Sequence, residues 1–534
     1  MSITSLEFLL FMLAVLCTYY IVPRKLQWVV LLCASMFFYL CCGINNSIYV
    51  LITSITVYCA TCWMQNINDK QKVFLRQNKE ILSKEEKSRI KTKNKKKKRW
   101  IMLGALMINL GLLCVFKYLH FIIEQLNYVA SALKLGYLDN SFLLIVPLGI
   151  SFYTFQAVGY LVDVYWENIS AEKNYLKVLL FVSFFPQMTQ GPISQYEMLS
   201  KELFATHEPM YENYSRGFQR LIWGFFKKMV IADFLSVFVT DVFANYSHYS
   251  GATTLIGTFL YSIQIYADFS GYMDIMCGMC EVMGIRLPEN FDRPYFSQSI
   301  AEYWRRWHMS LGAWFKRYIY FAIGMSAWNR RLAKKSREKF GKHFSDSLPA
   351  SIALIVVWLA TGIWHGANWA YITWGLVNGL FIIFSLWMDP VYEAINCKLR
   401  IRQDMRFWKI FRIVRTFVLV TFIKVLPEVG TLSDGIGFLS NIFTSQISPN
   451  SLAELLPFMD FGDTTRLLQA GVAVFGVVMM FIFSVIQEKR PVRDCFNKIP
   501  MPLRAVILSC AVLIIIIFGV RANWGTGGFM YANF

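Results

Sequence analysis

SIALIVVWLATGIWHGANWAYITWGLVNGLFIIF, residues 351–384, contains no Asp, Glu, Lys or Arg, and one histidine, His365. A helix that crosses a bilayer needs about 20 mainly apolar residues. This stretch is long enough for two passes, predicted at 350–367 and 369–388. An ionisable side chain in such a run is expensive to bury and points to function unless a partner explains it. His365 therefore raises two questions together: how many such runs the chain has, and what a histidine does inside one.

Similar runs recur along all 534 residues. Hydrophobic residues make up 56% of the chain and charged residues 16%, against about a quarter charged in soluble proteins. The hydropathy pattern predicts spans at 5–22, 26–42, 48–65, 100–117, 141–163, 218–240, 252–270, 350–367, 369–388, 411–428, 464–487 and 503–520. Shorter re-entrant or interfacial pieces are predicted near 119–133, 175–190 and 301–325. The fold class read from this pattern is an all-α polytopic membrane protein, a single membrane domain over 1–534 in a cell membrane. Residues 5–22 lack a cleavage pattern and read as a permanent span rather than a signal peptide.

Net charge is +19, but the basic residues are grouped. Residues 69–99 hold fourteen Lys and Arg against four Asp and Glu, so the basic segment 66–99 reads as a cytoplasmic loop. Grouping of this kind indicates topology and contact with the bilayer surface, and argues against nucleic acid as a partner. The same segment could also dock an acidic carrier protein or anionic lipid. Basic runs at 328–342, 398–415 and 488–504 place the last span exiting outward, and residues 522–534 then form an extracellular tail. Twelve cysteines include two CxxC pairs, Cys59/Cys62 and Cys277/Cys280. Both pairs lie in apolar stretches far apart in sequence, so they read as small buried hydrophobes rather than zinc ligands.

Of six histidines, two have unusual settings. His365 is flanked by Gly362 and Gly366, which permit close approach of a substrate or another backbone. His308 lies in AEYWRRWHMSLGAWF (301–315), a stretch that also suits an amphipathic interfacial segment. Neutral imidazole is a suitable general base near neutral pH. Neither histidine has a carboxylate at metal-ligand spacing, and no GxSxG or HExxH motif occurs. No metal is expected.

Three stretches carry a family resemblance: FFPQMTQGPISQY (184–196), the run from Tyr266 to Phe315 that includes PENFDRPY and WRRWH, and TGIWHGANW (361–369). They resemble the membrane-bound O-acyltransferase (MBOAT) superfamily, in the branch containing alginate O-acetyltransferases and teichoic-acid D-alanyl transferases. The resemblance implies a ring of helices around a central funnel or tunnel, with short re-entrant or interfacial helices. It implies His365 and His308 as the catalytic pair, with Asn290, Trp304, Trp307, Trp364 and Asp268 binding substrate or supporting the site. The expected donor is an acyl thioester, acetyl-CoA or a carrier-protein phosphopantetheine thioester, arriving at the cytoplasmic face. No bound cofactor is expected. The expected acceptor is an extracellular or cell-wall polysaccharide, reached with help from an SGNH-type or serine acyltransferase partner outside the membrane. Many relatives have an acid where this chain has Arg317 in WFKRY, so a helper carboxylate is in doubt here.

The tail GFMYANF supplies a further candidate. Its F-x-Y-x-x-F pattern resembles the C-terminal motif of the partner peptide in teichoic-acid D-alanylation, in which the tyrosine accepts the acyl group. A phenol ionises more readily than an alkyl alcohol and leaves more readily from its ester. The ten residues from Arg521 to Tyr531 reach about 33–36 Å when extended. Half the hydrocarbon thickness is about 15 Å. Tyr531 is therefore an expected acyl relay, against the simpler reading of a boundary anchor. Acetyl transfer is the favoured activity and D-alanyl transfer the alternative. A polysaccharide or lipid transporter is the reading from a different class, distinguished by flux without ester formation. A scaffold would need neither histidine.

Overall fold

The structure is a computed structural model and describes residues 3–142, 144–445, 454 and 464–520. Among these residues the regular structure is helical, apart from one isolated antiparallel bridge between Phe291 and Trp307. Among the described residues, seven helices are long and apolar enough to cross a membrane by length and composition. The chain divides into two compact units, residues 1–211 with 283–287, and residues 212–282 with 288–534.

The first unit contains α1 (Leu6–Ile21), α2 (Gln27–Cys41), α3 (Ile44–Gln77), α4 (Lys84–Ala132), α5 (Ile150–Tyr165), α6 (Tyr175–Ser183) and α7 (Tyr196–Leu203). Its central element is α5, which packs on α3, α4, α6 and α7 and is buried along nearly its whole length. The predicted span at 141–163 begins later than expected, at Ile150. Pro147 precedes the start, and Gly149 adopts φ +71, where a Cβ would meet the Met188 carbonyl oxygen at 2.1 Å. Only glycine fits such a turn without strain.

The basic segment is helical. α3 extends to Gln77 and α4 begins at Lys84, so the charged residues extend two membrane helices past their apolar parts. α4 starts with a capping box, Ser83 accepting from the Glu86 backbone N–H and Glu86 accepting from that of Ser83. The predicted pieces at 100–117 and 119–133 are one continuous helix, because no glycine or proline breaks the run between them. Of the two CxxC pairs, Cys277 and Cys280 are buried as expected, whereas Cys59 is exposed and Cys62 partly so.

The second unit contains α8 (Tyr211–Phe225), α9 (Asp233–Ala244), α10 (Gly251–Val282), α11 (Ile300–Arg306), α12 (Met309–Phe315), α13 (Phe321–Gly324), α14 (Ala327–Phe340), α15 (Lys342–His365), α16 (Trp369–Lys398), α17 (Arg406–Val425), α18 (Leu432–Thr444), α19 (Thr464–Ile486), α20 (Val492–Phe496) and α21 (Met501–Phe518). α10 is the pillar, packing against α9, α17 and α18. A π-helical turn, Phe226–Ala232, joins α8 to α9 and also packs on α10. It carries two adjacent lysines. The wider turn separates neighbouring side chains less in angle than an α-turn does, and both lysines reach α10. Lys227 Nζ lies 2.7 Å from Asp274, and Lys228 Nζ lies 2.6 Å from Asp268 and 2.8 Å from Asp233. Arg220 completes this cluster, 2.9 Å from Asp274 and 2.6 Å from Glu289. Buried charges paired in this way avoid the cost of isolated ions in an apolar surround.

Candidate active site

α15 and α16 form a tight hairpin, and His365 is the last residue of α15. Gly366 leaves the helix in extended conformation, and Asn368 caps α16 by accepting from the Ala370 N–H at 2.9 Å. WHGANW is therefore a helix–turn–helix junction between two membrane-length helices. The hairpin closes on glycine. A Cβ on Gly362 would meet the Tyr371 carbonyl oxygen at 2.6 Å, and one on Gly375 would meet the Trp358 carbonyl oxygen at 2.5 Å. Small residues at such contacts let helix backbones approach closely.

The His365 side chain is buried, 4% exposed. Its ring lies edge-on to Trp364 and Trp374, each at 4.8 Å between centroids, and nearly parallel to Tyr371 at 6.2 Å. It faces a cavity of about 30 Å³. Trp304 and Trp307 wall this cavity from the α11 side, and Tyr371 and Trp374 from α16. Trp304 is fixed by its indole N–H, which donates to Asn378 Oδ1 at 3.0 Å.

Lys424 and Glu428 also line the cavity, from the end of α17 and the turn after it. These two were not among the sequence candidates. The signal was present, because Lys424 is the one charged residue in TFVLVTFIKVLP, residues 416–427, and the intramembrane rule that selected His365 selects it equally.

His308 sits beside the cavity and is not one of its lining residues. It adopts φ +48, a left-handed conformation rare for a residue with a side chain, as the N-cap of α12. The strain is held by the PENFDRPY loop. Asn290 Oδ1 accepts from the Ser310 backbone N–H and hydroxyl, both at 2.9 Å, and lies 3.2 Å from His308 Nδ1. The Met309 N–H donates to the Asn290 carbonyl at 3.0 Å. Strained backbone of this kind collects at functional sites. Facing an acceptor oxygen, Nδ1 carries the proton of a neutral imidazole, which makes Nε2 the basic nitrogen. Trp364 touches both histidines, with its ring 6.1 Å from that of His308.

The structure thus brings His365, Trp304 and Trp307 to one cavity, with Trp364 against the His365 ring. It holds His308 and Asn290 together, with His308 against the other side of Trp364. Asp268 lies in the ionic cluster on α10, paired with Lys228. Arg317 is on a second π-turn, Lys316–Tyr320, half-buried over the Tyr318 ring. Tyr531 lies outside the described residues.

Residues 167–426 match the model of the MBOAT, membrane-bound O-acyltransferase family. A probable alginate O-acetylase of Pseudomonas putida is 34% identical over 309 residues, 57% of this chain and 59% of that protein. A peptidoglycan O-acetyltransferase of Helicobacter pylori is 32% identical over 54% of this chain and 55% of its own length. A teichoic acid D-alanyltransferase of Bacillus subtilis is 28% identical over 52% of this chain and 68% of its own. The chain spans little more than half the length of the two O-acetyl relatives. The matched region, just under half of this polytopic membrane chain, contains both histidines, Asn290, the tryptophan walls and Lys424.

Proposed function

We propose that this chain transfers an acetyl group from a cytoplasmic thioester toward hydroxyls of an extracellular or cell-wall polysaccharide. The observation that carries the reading is the buried His365 ring facing a small cavity walled by indoles. The cavity is small, about 30 Å³. With rigid rings on its walls, such a space suits a two-carbon acyl group better than a long chain. Two of the relatives are named as O-acetyl enzymes.

In this reading His365 takes the proton from the attacking hydroxyl as its oxygen bonds to the thioester carbonyl carbon. The carbonyl electron pair moves onto oxygen. When the tetrahedral adduct collapses, the carbon–sulfur bond breaks and His365 returns the proton to the departing thiolate. His308, its Nδ1 held by Asn290, positions the Trp307 wall. Exclusion of water by the aromatic walls suppresses hydrolysis of the donor. Tyr531 would be the first acceptor hydroxyl and pass the acetyl group onward, with an SGNH-type or serine acyltransferase outside the membrane completing delivery. The donor is acetyl-CoA or a carrier-protein thioester.

D-alanyl transfer is the second reading, and Glu428 favours it. A carboxylate on the cavity wall would suit the ammonium of a D-alanyl group. The test is mass spectrometry of cell-surface polysaccharide from cells expressing the chain or the His365→Ala form. The proposal expects His365-dependent acetyl esters. Alanyl esters would transfer support to the second reading. Substrate flux with no ester of either kind would overturn both in favour of a transporter.

A further inference from the structure

Lys424 is a buried cation that the mechanism above does not use. It is 6% exposed and lines the same cavity as His365. Its ammonium lies 3.7 Å from the Trp307 ring centroid, 5.0 Å from that of Tyr295 and 5.1 Å from that of Tyr303. It donates to the Tyr295 hydroxyl oxygen at 3.0 Å. That hydroxyl in turn donates to the Ser262 carbonyl at 2.5 Å, which leaves its lone pairs turned toward Lys424. The ammonium is therefore held by a phenol and three aromatic faces rather than by a carboxylate. Glu428, four residues further along, receives the Tyr261 hydroxyl and acts on Lys424 through its charge rather than by direct contact.

This is an expensive way to hold a lysine. Burying an ammonium costs several kcal/mol even after relaxation. A desolvated cation–π contact and a hydrogen bond from a charged group offset part of that cost. A methionine would fill the same channel between the rings without the desolvation cost. Stability alone does not select a lysine here. What the aromatic cage achieves is a charge aimed at fixed geometry, in a low-dielectric cavity shared with the histidine. Such preorganised charge has the most effect where charge develops during a reaction.

We infer that Lys424 is the electrostatic partner of His365, its ammonium stabilising the oxygen that becomes negative when the hydroxyl adds to the thioester carbonyl. One of its protons is donated as a hydrogen bond to that oxygen and stays on the lysine. The bond is made as the adduct forms and released when the carbonyl reforms and the thiolate leaves. The inference rests on the acyl-transfer reading.

The test uses the full chain in proteoliposomes, with an acetyl thioester inside and a small hydroxyl acceptor outside, and thiol release matched to acetyl ester formation as the readout. Lys424→Met is expected to lower kcat by about 10²–10³, the usual cost of losing one oxyanion donor, with KM changed only a few-fold. Its melting temperature should equal or exceed that of the parent. Lys424→Arg should retain part of the rate. Adding ethylamine to Lys424→Ala should raise ester formation, and the parent should not respond. A Lys424→Met form with kcat within about threefold of the parent would overturn the inference. So would a Lys424→Ala form that melts early and is not rescued by amine, which would make the lysine a structural cation. His365→Ala is run alongside. If it retains full transfer, the acyl-transfer reading itself fails. If it loses transfer while Lys424→Met keeps it, only the role of Lys424 falls.

Discussion

Gly375→Ala tests whether the position of His365 depends on the glycine contact beneath it. The Cβ added at 375 would lie 2.5 Å from the Trp358 carbonyl oxygen and 3.0 Å from the Gly362 Cα. Ordinary contact begins near 3.4 Å, so α16 must move about 0.9 Å away from α15 at the turn that carries His365. Backbone atoms on the opposing face cannot swing aside as a side chain could. Overpacking of this kind costs about 1–3 kcal/mol. A reacting group misplaced by about 1 Å can lose about 10²-fold in rate. The expected outcome is a folded protein with a lower melting temperature and an acyl-transfer kcat down by one to two orders of magnitude, roughly. Gly104→Ala is the control, because a Cβ there meets nothing within 4 Å. The assay is ester formation per mole of protein that elutes as a single species from size exclusion. If Gly375→Ala matches Gly104→Ala in both rate and melting temperature, the close-packed hairpin does not set the site.

Two further outcomes separate support from chemistry. Asp268→Asn removes one carboxylate from Lys228, a pair 2.6 Å apart with both side chains 2% exposed. Breaking a buried pair costs about 3–5 kcal/mol, and Asp233 remains on Lys228, so a loss near the lower end of that range is expected in a denaturation measurement. Whatever protein still folds should turn over normally, and normal folding with lost turnover would return Asp268 to the residues that bind substrate or support the site. Tyr531→Phe keeps the aromatic surface of the tail and removes only its hydroxyl. On the relay proposal it abolishes ester formation on the polysaccharide while the protein folds as the parent does, and full transfer by this form refutes the relay.

Much of the architecture was legible because apolar runs and basic clusters report directly on bilayer energetics. His365 and His308 could be selected because an imidazole beside tryptophan in an apolar run has few structural reasons to be there. The basic segment read as a loop from its charge, yet it continues α3 and α4 as helix. Lysine and glutamate are good helix formers, and charge alone marks solvent rather than irregular backbone. The π-turn at Phe226–Ala232 was not legible, since its local propensities match an ordinary helix. It is a tertiary outcome, set by the need to pair Lys227 and Lys228 with α10. Asp268 was a candidate through the resemblance alone, and the lysine paired with it lies forty residues away in sequence. Lys424 is the opposite case. It was hidden in a predicted span, and only the cavity brings it together with His365.

The most direct test of the account is acyl transfer by His365→Ala, a form that loses the imidazole while its aromatic neighbours remain. The measurement is the rate of acetyl ester formation from a thioester donor, with thiol release followed in the same sample. General-base catalysis contributes about 10²–10⁴ in rate, and the account expects ester formation to fall by at least that much with a melting temperature near that of the parent. Transfer at the parental rate by a folded His365→Ala protein would contradict it.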